Sequence, residues 1–208
     1  MRSRWASLLV VGIVVLVSSC ASARRDAPKP ELSGLDKKLS TFVFAEEGRL
    51  VSLIVDVRPT RYREEADYVP IEICVANRGL KMLSLTRESF TLRDSAGKSY
   101  PCVGPGELLE KYEYLDLDRR LGEVEEIVFN RFGAFRRYPS NFSPTRAAPA
   151  NPFASTIVRD TIAVPKFGWF TDFLYFPRPE TGVLNRRFEL WMTAPELPDP
   201  VFVKFAVL

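Results

Sequence analysis

The sequence IEICVAN, at residues 71–77, decides the fold class of this chain. Apolar side chains occupy every second position here and just before it, namely Val69, Ile71, Ile73 and Val75. A period of two is typical of a β-strand that buries one face. Asn77-Arg78-Gly79 then favours a turn, so we interpret the stretch as one strand of a sheet.

The same alternation recurs on both sides of this strand. It predicts further strands at residues 41–45, 50–57, 82–85, 89–93, 98–103, 156–164, 169–176, 187–193 and 201–207. Many of these segments end at Asn, Asp or Gly, and DSAG at residues 94–97 is the clearest turn between two of them. Short strands at this spacing predict a mainly β fold, arranged as an antiparallel β-sandwich.

A segment with a different period interrupts the β pattern. Gly104-Pro-Gly106 breaks it, and apolar residues then recur at helical spacing between residues 108 and 135, which predicts one or two helices. Several prolines follow between residues 136 and 155 and predict an irregular loop. We therefore expect a helical and proline-rich insertion at about residues 105–155 that covers an open end of the sandwich.

Three parts of the β region carry a resemblance to known proteins. Residues 71–77, Leu83-Ser-Leu85 and FTLRDSAGKSY at residues 90–100 resemble the immunoglobulin-like sandwiches of bacterial lipoproteins of an uncharacterised family. Those proteins share a hydrophobic strand that ends in Asn, a second apolar strand, and a hairpin of the form Leu-x-Asp-x-x-Gly-x-x-Tyr. The resemblance implies an immunoglobulin-like β-sandwich with a one- or two-helix insertion over residues 41–208, and it implies no activity.

The first residues have the pattern of a bacterial export signal. Arg2 and Arg4 precede an apolar run that is shorter than the roughly 18 residues needed to span a membrane, and VSSC closes it at residues 17–20. These last four residues resemble the lipobox of bacterial lipoproteins. The resemblance implies removal of residues 1–19 and acylation of Cys20, with palmitate among the acyl groups. Ordinary secretion with an incidental cysteine and an uncleaved anchor are the alternatives.

Residues 20–40 predict a flexible tether between the lipidated cysteine and the domain. They are polar, contain Pro28 and Pro30, and lack a sustained apolar period. Residue 21 is Ala, whereas Asp at this position favours the inner membrane in the sorting scheme of enteric lipoproteins. We therefore expect a protein of the bacterial cell envelope that is lipid-anchored in the outer membrane and faces the periplasm.

The composition excludes several classes of function. The chain contains no histidine, which excludes Ser-His-Asp and Cys-His catalysis and every histidine metal site. Removing Arg2 and Arg4 with the signal lowers the formal net charge from +3 to +1, so nothing indicates nucleic acid as a partner. We expect no cofactor, no metal and no enzymatic activity. A carboxylate-based hydrolase is the catalytic alternative.

Two cysteines remain for the folded domain, Cys74 and Cys102. An oxidising compartment permits a disulfide between them. Cys74, however, shares a strand face with Glu72 rather than with Ile71 and Ile73. The alternative is two unpaired cysteines on the sheet.

An aromatic segment and a basic segment are the candidate contact surfaces. Aromatic residues crowd residues 167–176, and a strand can bury only alternate residues on each face. Trp169 and Phe173, together with Trp191, are therefore candidates for partner contact. The alternative is that the helical insertion covers the second face of this strand.

Arginines also surround the insertion, at Arg119, Arg120, Arg131, Arg136 and Arg137. Such a group of cations fits anionic lipid headgroups or glycan phosphates. The alternative is a solvated surface on which Glu123, Glu125 and Glu126 balance the arginines.

These observations lead to one expected function and one alternative. We expect a lipid-anchored, non-catalytic interaction or structural module of the bacterial envelope, attached to the membrane and in contact with an envelope protein. The alternative is a carrier that encloses a lipid or other apolar ligand between the sandwich and the insertion.

Overall fold

The computed structural model describes residues 37–146 and 158–208. The predicted signal peptide, Cys20, most of the tether, residues 147–155 of the proline-rich loop and the first two residues of the predicted strand at 156–164 lie outside these residues. Strands make up 42% and helices 17% of the structure, which confirms the mainly β fold class.

Twelve strands and four helices are present in the described residues. The strands are β1 (Lys37–Lys38), β2 (Val43–Glu47), β3 (Val51–Asp56), β4 (Tyr68–Asn77), β5 (Met82–Thr86), β6 (Phe90–Asp94), β7 (Ser99–Pro101), β8 (Arg136–Arg137), β9 (Thr161–Pro165), β10 (Gly168–Pro177), β11 (Arg186–Met192) and β12 (Val201–Val207). The helices are α1 (Arg58–Tyr62), α2 (Pro105–Lys111), α3 (Leu115–Asp118) and α4 (Val124–Phe132), with a 3-10 turn at Arg87–Ser89.

The strands form two larger sheets and one short ribbon. Sheet 1 has the strand order β1-β2-β3-β4-β10-β8, and sheet 2 has the order β12-β11-β6-β7. Strands β5 and β9 pair separately as an antiparallel ribbon. All pairings are antiparallel except that of β8 with β10, which is parallel and lies at one edge of sheet 1.

The hydrophobic core fills the space between sheet 1 and sheet 2. Its members come from the inner faces of both sheets, as the alternation in the sequence predicts. Phe205 of β12 is central: its ring lies 6.3 Å from that of Phe44 in β2 and 6.0 Å from that of Phe188 in β11. Contacts between aromatic rings therefore connect the two sheets.

The helical insertion packs on the outer face of sheet 1. Helix α4 covers Ile54, Cys74 and Trp169, while Leu108 and Leu115 of α2 and α3 lie in a cluster with Phe173 and Tyr175. Sheet 1 is therefore buried on both faces, and the molecule has three layers.

The insertion contains three short helices where the sequence predicts one or two. Tyr112 ends α2 with an extended backbone, at φ −117° and ψ 114°. Its hydroxyl donates a 2.6 Å hydrogen bond to Oδ2 of Asp118, the last residue of α3. This bond joins α2 to α3 across the turn between them. The apolar residues therefore keep a helical spacing in the sequence, although the helix itself is interrupted.

Two short strands have no counterpart in the sequence prediction. β1 pairs with β2, so ordered structure begins within the segment predicted to be a tether. β8 follows α4 directly and pairs with the start of β10. Strands of two residues are too short to show an alternation that a sequence pattern can detect.

Replacing Phe205 with Ala tests the link between the sheets. Phe205 is 1% exposed, and truncating a buried phenylalanine lowers the free energy of unfolding by about 3 to 5 kcal/mol. Leu208→Ala is the control, since Leu208 is 36% exposed and its truncation is expected to change that energy by about 0.5 kcal/mol or less. Urea unfolding of both variants measures the difference. Equal stabilities would contradict the central position of Phe205.

Candidate functional site

Two buried carboxylates lie side by side on the outer face of sheet 1. Asp56 ends β3 and is directly opposite Glu72 of β4 in the strand register. Asp56 is fully buried and Glu72 is 7% exposed. Buried carboxylates require hydrogen-bond donors. The insertion supplies one to each acid, and the backbone N–H of Arg58 in α1 donates to Oδ1 of Asp56 at 2.7 Å.

Both carboxylates bind the start of helix α4. The backbone N–H of Glu123 donates to Oδ2 of Asp56 at 3.0 Å, and that of Val124 donates to Oε2 of Glu72 at 3.1 Å. The first N–H groups of a helix have no partner within the helix, so the two acids satisfy them. Gly122 makes this approach possible, because a Cβ at that position would overlap the Glu72 carboxyl group.

This environment changes the proton affinity of the acids. Burial, with a further contribution from the neighbouring Asp56, raises the pKa of Glu72 to about 7. Burial also raises the pKa of Asp56, and it raises the pKa of Asp118 to about 6. Glu72 therefore exchanges its proton near neutral pH.

A polar cleft of about 450 Å³ opens beside Glu72. Its lining comes from β4, β10 and the insertion: Glu72, Arg119, Glu125, Arg137, Tyr138, Pro139, Ser140, Thr171, Asp172 and Phe173. Arg137 and Glu125 form a two-point ion pair at the rim. The cleft thus combines one acid that titrates near neutral pH with two arginines, a set that suits a small polar ligand.

Asp172 has a structural role at the edge of this cleft. It accepts hydrogen bonds from the hydroxyls of Ser140 and Ser143, each at 2.6 Å, and from the backbone N–H of Phe142, also at 2.6 Å. These bonds hold residues 140–143 against β10 and place the Phe142 ring in the core, 5.9 Å from the ring of Phe170. Asp172 therefore helps to close one edge of the sandwich.

The aromatic contact prediction needs a correction for two of its three residues. Trp169 and Phe173 are 3% and 4% exposed, because α4 covers the first and the segment containing α2 and α3 covers the second. Neither ring is available to a partner. The alternative interpretation of this segment, coverage by the insertion, describes what the structure shows.

Trp191 lies on the outer face of sheet 2 and is half-buried. Its ring stacks on Phe202 of the neighbouring strand, with centroids 4.5 Å apart and planes 18° apart. The guanidinium of Arg93 lies 4.1 Å above the Trp191 ring, and the indole N–H donates to Oε2 of Glu189 at 2.8 Å. Neighbouring groups thus fix the orientation of an accessible aromatic pair.

Cys74 and Cys102 are both free in the structure, so the possible disulfide is not formed. Cys74 lies under α4 on the outer face of sheet 1, opposite Thr171 of β10. Cys102 packs against the inner core, next to Val103, whose N–H donates to Tyr175. At about 3.3 Å per residue, Thr171 and Tyr175 are about 13 Å apart along β10, a separation too large for a disulfide.

Most of the arginines around the insertion have acidic or carbonyl partners. Arg131 pairs with Glu47, Arg137 with Glu125, and Arg119 with the backbone oxygen of Ser143 at 3.0 Å. Arg58, outside the predicted group, pairs with Glu123. Of the three acids in the alternative interpretation, only Glu125 pairs with an arginine of the predicted group among the described residues, while Arg131 uses Glu47 of β2.

Sequence reasoning missed Asp56, Glu72, Asp118 and Asp172 as an arrangement of buried acids. A single acid inside an apolar run, as in IEICVA at residues 71–76, was the available signal. The alternation assigns Glu72 to the second face of its strand, but it does not reveal that another layer covers that face.

Within residues 37–146 and 158–208, no group of three or more His, Cys, Asp or Glu side chains is placed to hold a metal ion. In the same residues, no helix is long and apolar enough to cross a membrane.

Comparisons with known proteins give little support for any assignment. No family model matches the chain, and no curated protein matches it in sequence. A solved structure named "a putative lipoprotein (ycdA)" from Bacillus subtilis subsp. subtilis str. 168 is similar at 12% sequence identity with a TM-score of 0.38. The match covers 78% of this chain, which spans 38% of that protein's length. A TM-score this low carries no argument about fold or function.

Glu72→Gln tests the buried acid through the pH dependence of stability. The folded state raises the pKa of Glu72 from 4.5 to about 7, so it binds more protons than the unfolded state across this interval. The free energy of unfolding therefore falls as pH rises from 4.5 to 7, by up to about 3 kcal/mol from this group. Gln keeps an oxygen for the Val124 N–H but does not titrate.

We expect thermal unfolding between pH 5 and 8 to show a weaker pH dependence in Glu72→Gln than in the unmodified protein. A residual slope is expected because the pKa values of Asp56 and Asp118 are also raised. Glu126→Gln, at an exposed position of α4, is the control that should leave the slope unchanged. Identical slopes in all three proteins would exclude the proton uptake assigned to Glu72.

Proposed function

We propose that this protein is a lipid-anchored component of the bacterial envelope whose folded domain is a non-catalytic interaction module. Cys20 would carry the acyl groups, and the domain would bind an envelope protein through the outer face of sheet 2. The lipobox-like residues 17–20 support the anchor. The Trp191–Phe202 pair supports the binding face, and it is the observation on which the proposal depends.

The arrangement around Trp191 is suited to protein recognition. Trp and Arg are enriched at the centres of protein interfaces, and here Arg93 lies on the Trp191 ring. Lys204 lies 5.4 Å from the Phe202 ring and 3.9 Å from Glu189. These side chains already have fixed neighbours. Binding a partner therefore costs less conformational entropy, because they are ordered beforehand.

A carrier for an apolar ligand is the alternative that the sequence suggests, and the described geometry does not favour it. Two clusters of apolar side chains fill the region between sheet 1 and the insertion, where the ligand would lie. The cleft beside Glu72 is lined mainly by polar and charged groups. An apolar ligand would have to displace packed rings such as Trp169 or Phe173.

A carboxylate-based hydrolase is the second candidate, and Glu72 is the observation that favours it. An acid with a pKa of about 7 beside an open cleft is a possible general acid or base. Its Oε2 atom already accepts a hydrogen bond from the start of α4, and Asp172 is engaged in holding residues 140–143. Because both acids already hold parts of the fold together, we rank the interaction module above the hydrolase.

Cys20→Ala tests the membrane attachment. We expect this variant to accumulate as an unprocessed precursor or to lack acyl mass, since acylation requires the thiol. Membrane fractionation and intact-mass analysis of the variant and the unmodified protein measure the outcome. Cys102→Ala is a control that removes a different thiol. Normal processing and membrane retention of Cys20→Ala would exclude the proposed anchor.

Photo-crosslinking from position 191 tests the binding face. A photoreactive residue replaces Trp191 in intact cells, and cross-linked products are purified and analysed by mass spectrometry. We expect a specific envelope protein in these products. The same residue at Phe129, which is 68% exposed on α4, is the control and should not give that product. Identical products from both positions, or lipid alone from position 191, would contradict the proposed face.

A further inference from the structure

Exposed cations surround an exposed phenylalanine at one end of sheet 1. This surface, here called the basic end, consists of Arg49, Arg78, Lys81, Arg136, Lys166, Phe167 and Met82. It lies where β4 ends at Asn77, at the end of the sheet opposite Asp56.

Backbone hydrogen bonds show that these residues are neighbours in space. The N–H groups of Arg78 and Gly79 donate to Leu50, directly beside Arg49, at 2.8 and 3.0 Å. Lys166 donates to the carbonyl of Lys81 at 3.3 Å. Strands β4 and β8 meet at Phe167: its N–H donates to Asn77 at 2.8 Å, and its carbonyl accepts from the N–H of Arg136 at 2.9 Å. Five cations from three loops and strand β8 therefore converge on one surface.

The charge of the basic end is not balanced by nearby acids. The five cations are exposed, and none of them takes part in the ion pairs found within the described residues. The nearby carboxylate of Glu47 is already paired with Arg131 and Lys37. Glu46 lines a separate cleft with Phe202 and Lys204, and Glu196 accepts a hydrogen bond from the backbone N–H of Ser84 at 3.3 Å. An anionic surface is therefore the complementary partner.

Phe167 is held in an unusual backbone conformation at the tip of this end. Its φ of 60° lies in the left-handed region, which a bulky side chain rarely adopts. Its ring is 51% exposed, with one side 5.3 Å from the ring of Phe135. Met82, opposite Pro165 in the β5–β9 ribbon, is 41% exposed. Non-glycine residues in this backbone conformation cluster at functional sites, which favours a functional role for Phe167.

We propose that the basic end docks on the anionic surface of the lipid bilayer. Cations would contact the headgroups, while Phe167 and Met82 would enter the boundary between headgroups and acyl chains. This apolar component distinguishes a bilayer from a soluble phosphate-bearing glycan, which has no apolar interior. Each cation near an anionic membrane strengthens binding roughly fivefold.

The position of the proposed anchor agrees with this occupant. Sixteen residues lie between Cys20 and Lys37, where the described structure begins. A chain of that length spans at most about 60 Å, so the anchor keeps the domain close to the bilayer. A weak contact between the basic end and the same bilayer then becomes intramolecular, which increases its effective strength. The orientation in the cell rests on the proposed lipid anchor, whereas the affinity of the basic end for a bilayer does not.

Vesicle binding by the non-acylated mature chain, residues 20–208 with Cys20→Ala, tests this proposal. Sedimentation with vesicles of phosphatidylcholine alone is compared with sedimentation with vesicles that contain about 30% phosphatidylglycerol. We expect binding only to the anionic vesicles, with a strong loss at about 0.5 M salt, where exposed charges are screened.

Matched variants assign the binding to the basic end. Lys81→Glu with Lys166→Glu should weaken vesicle binding about tenfold or more. Lys98→Glu with Lys111→Glu changes the net charge equally at exposed sites elsewhere and should change binding less than about twofold. Phe167→Asn keeps a residue that tolerates a positive φ and removes the ring, so it should also weaken binding. Thermal unfolding confirms that each variant is folded.

Several outcomes would overturn the proposal. They are binding that does not depend on phosphatidylglycerol, equal losses in both lysine pairs, and no effect of Phe167→Asn. Equal affinity for soluble inorganic polyphosphate with no contribution from Phe167 would indicate a phosphate ligand instead. None of these results depends on the processing of Cys20, so failure of the docking surface and failure of the anchor are separate findings.

Discussion

Strand β4 is buried along all ten of its residues, and this burial on two sides governs the rest of the structure. One side supplies Ile71, Ile73 and Val75 to the core between the sheets. The other side carries Glu72 and Cys74 beneath the insertion. A carboxyl group that is so largely buried must obtain hydrogen bonds from the layer that covers it, because little of it is accessible to water. The covering layer must therefore supply hydrogen-bond donors as well as an apolar surface.

Helix α4 meets this requirement through its first turn. The helix begins with N–H groups that lack internal partners, and the strands present Asp56 and Glu72 at that position. The acids and the helix thus compensate for each other's unsatisfied groups. Gly122 permits the close approach, since any side chain at that position would meet the Glu72 carboxyl group. The insertion is accordingly an integral part of the fold, and the titration of Glu72 reports on its contact with the sheet.

The strands were predictable from the sequence because their alternation reflects burial directly. β4, β10 and β12 lie close to where the period of two places them. The parallel contact of β8 with β10 was not predictable, since two residues carry no period. The sequence left two interpretations of Trp169 and Phe173, because alternation shows that a strand has a second face but does not show what covers it. The partners of the buried acids and of the arginines lie far along the chain, so no local pattern reveals them.

The ring contact between Phe44 and Phe205 also has a consequence for when the protein folds. The strand that begins at Val201 packs against β2 and β3, which are among the first elements of the described chain. Contacts between such distant segments slow folding, because a long loop must close before they form. Until residues beyond 201 have been synthesised, sheet 2 lacks its edge strand β12 and the core lacks Phe205. With the proposed export, this late strand keeps the chain from completing its core early in synthesis, which preserves the unfolded form that a translocation channel accepts.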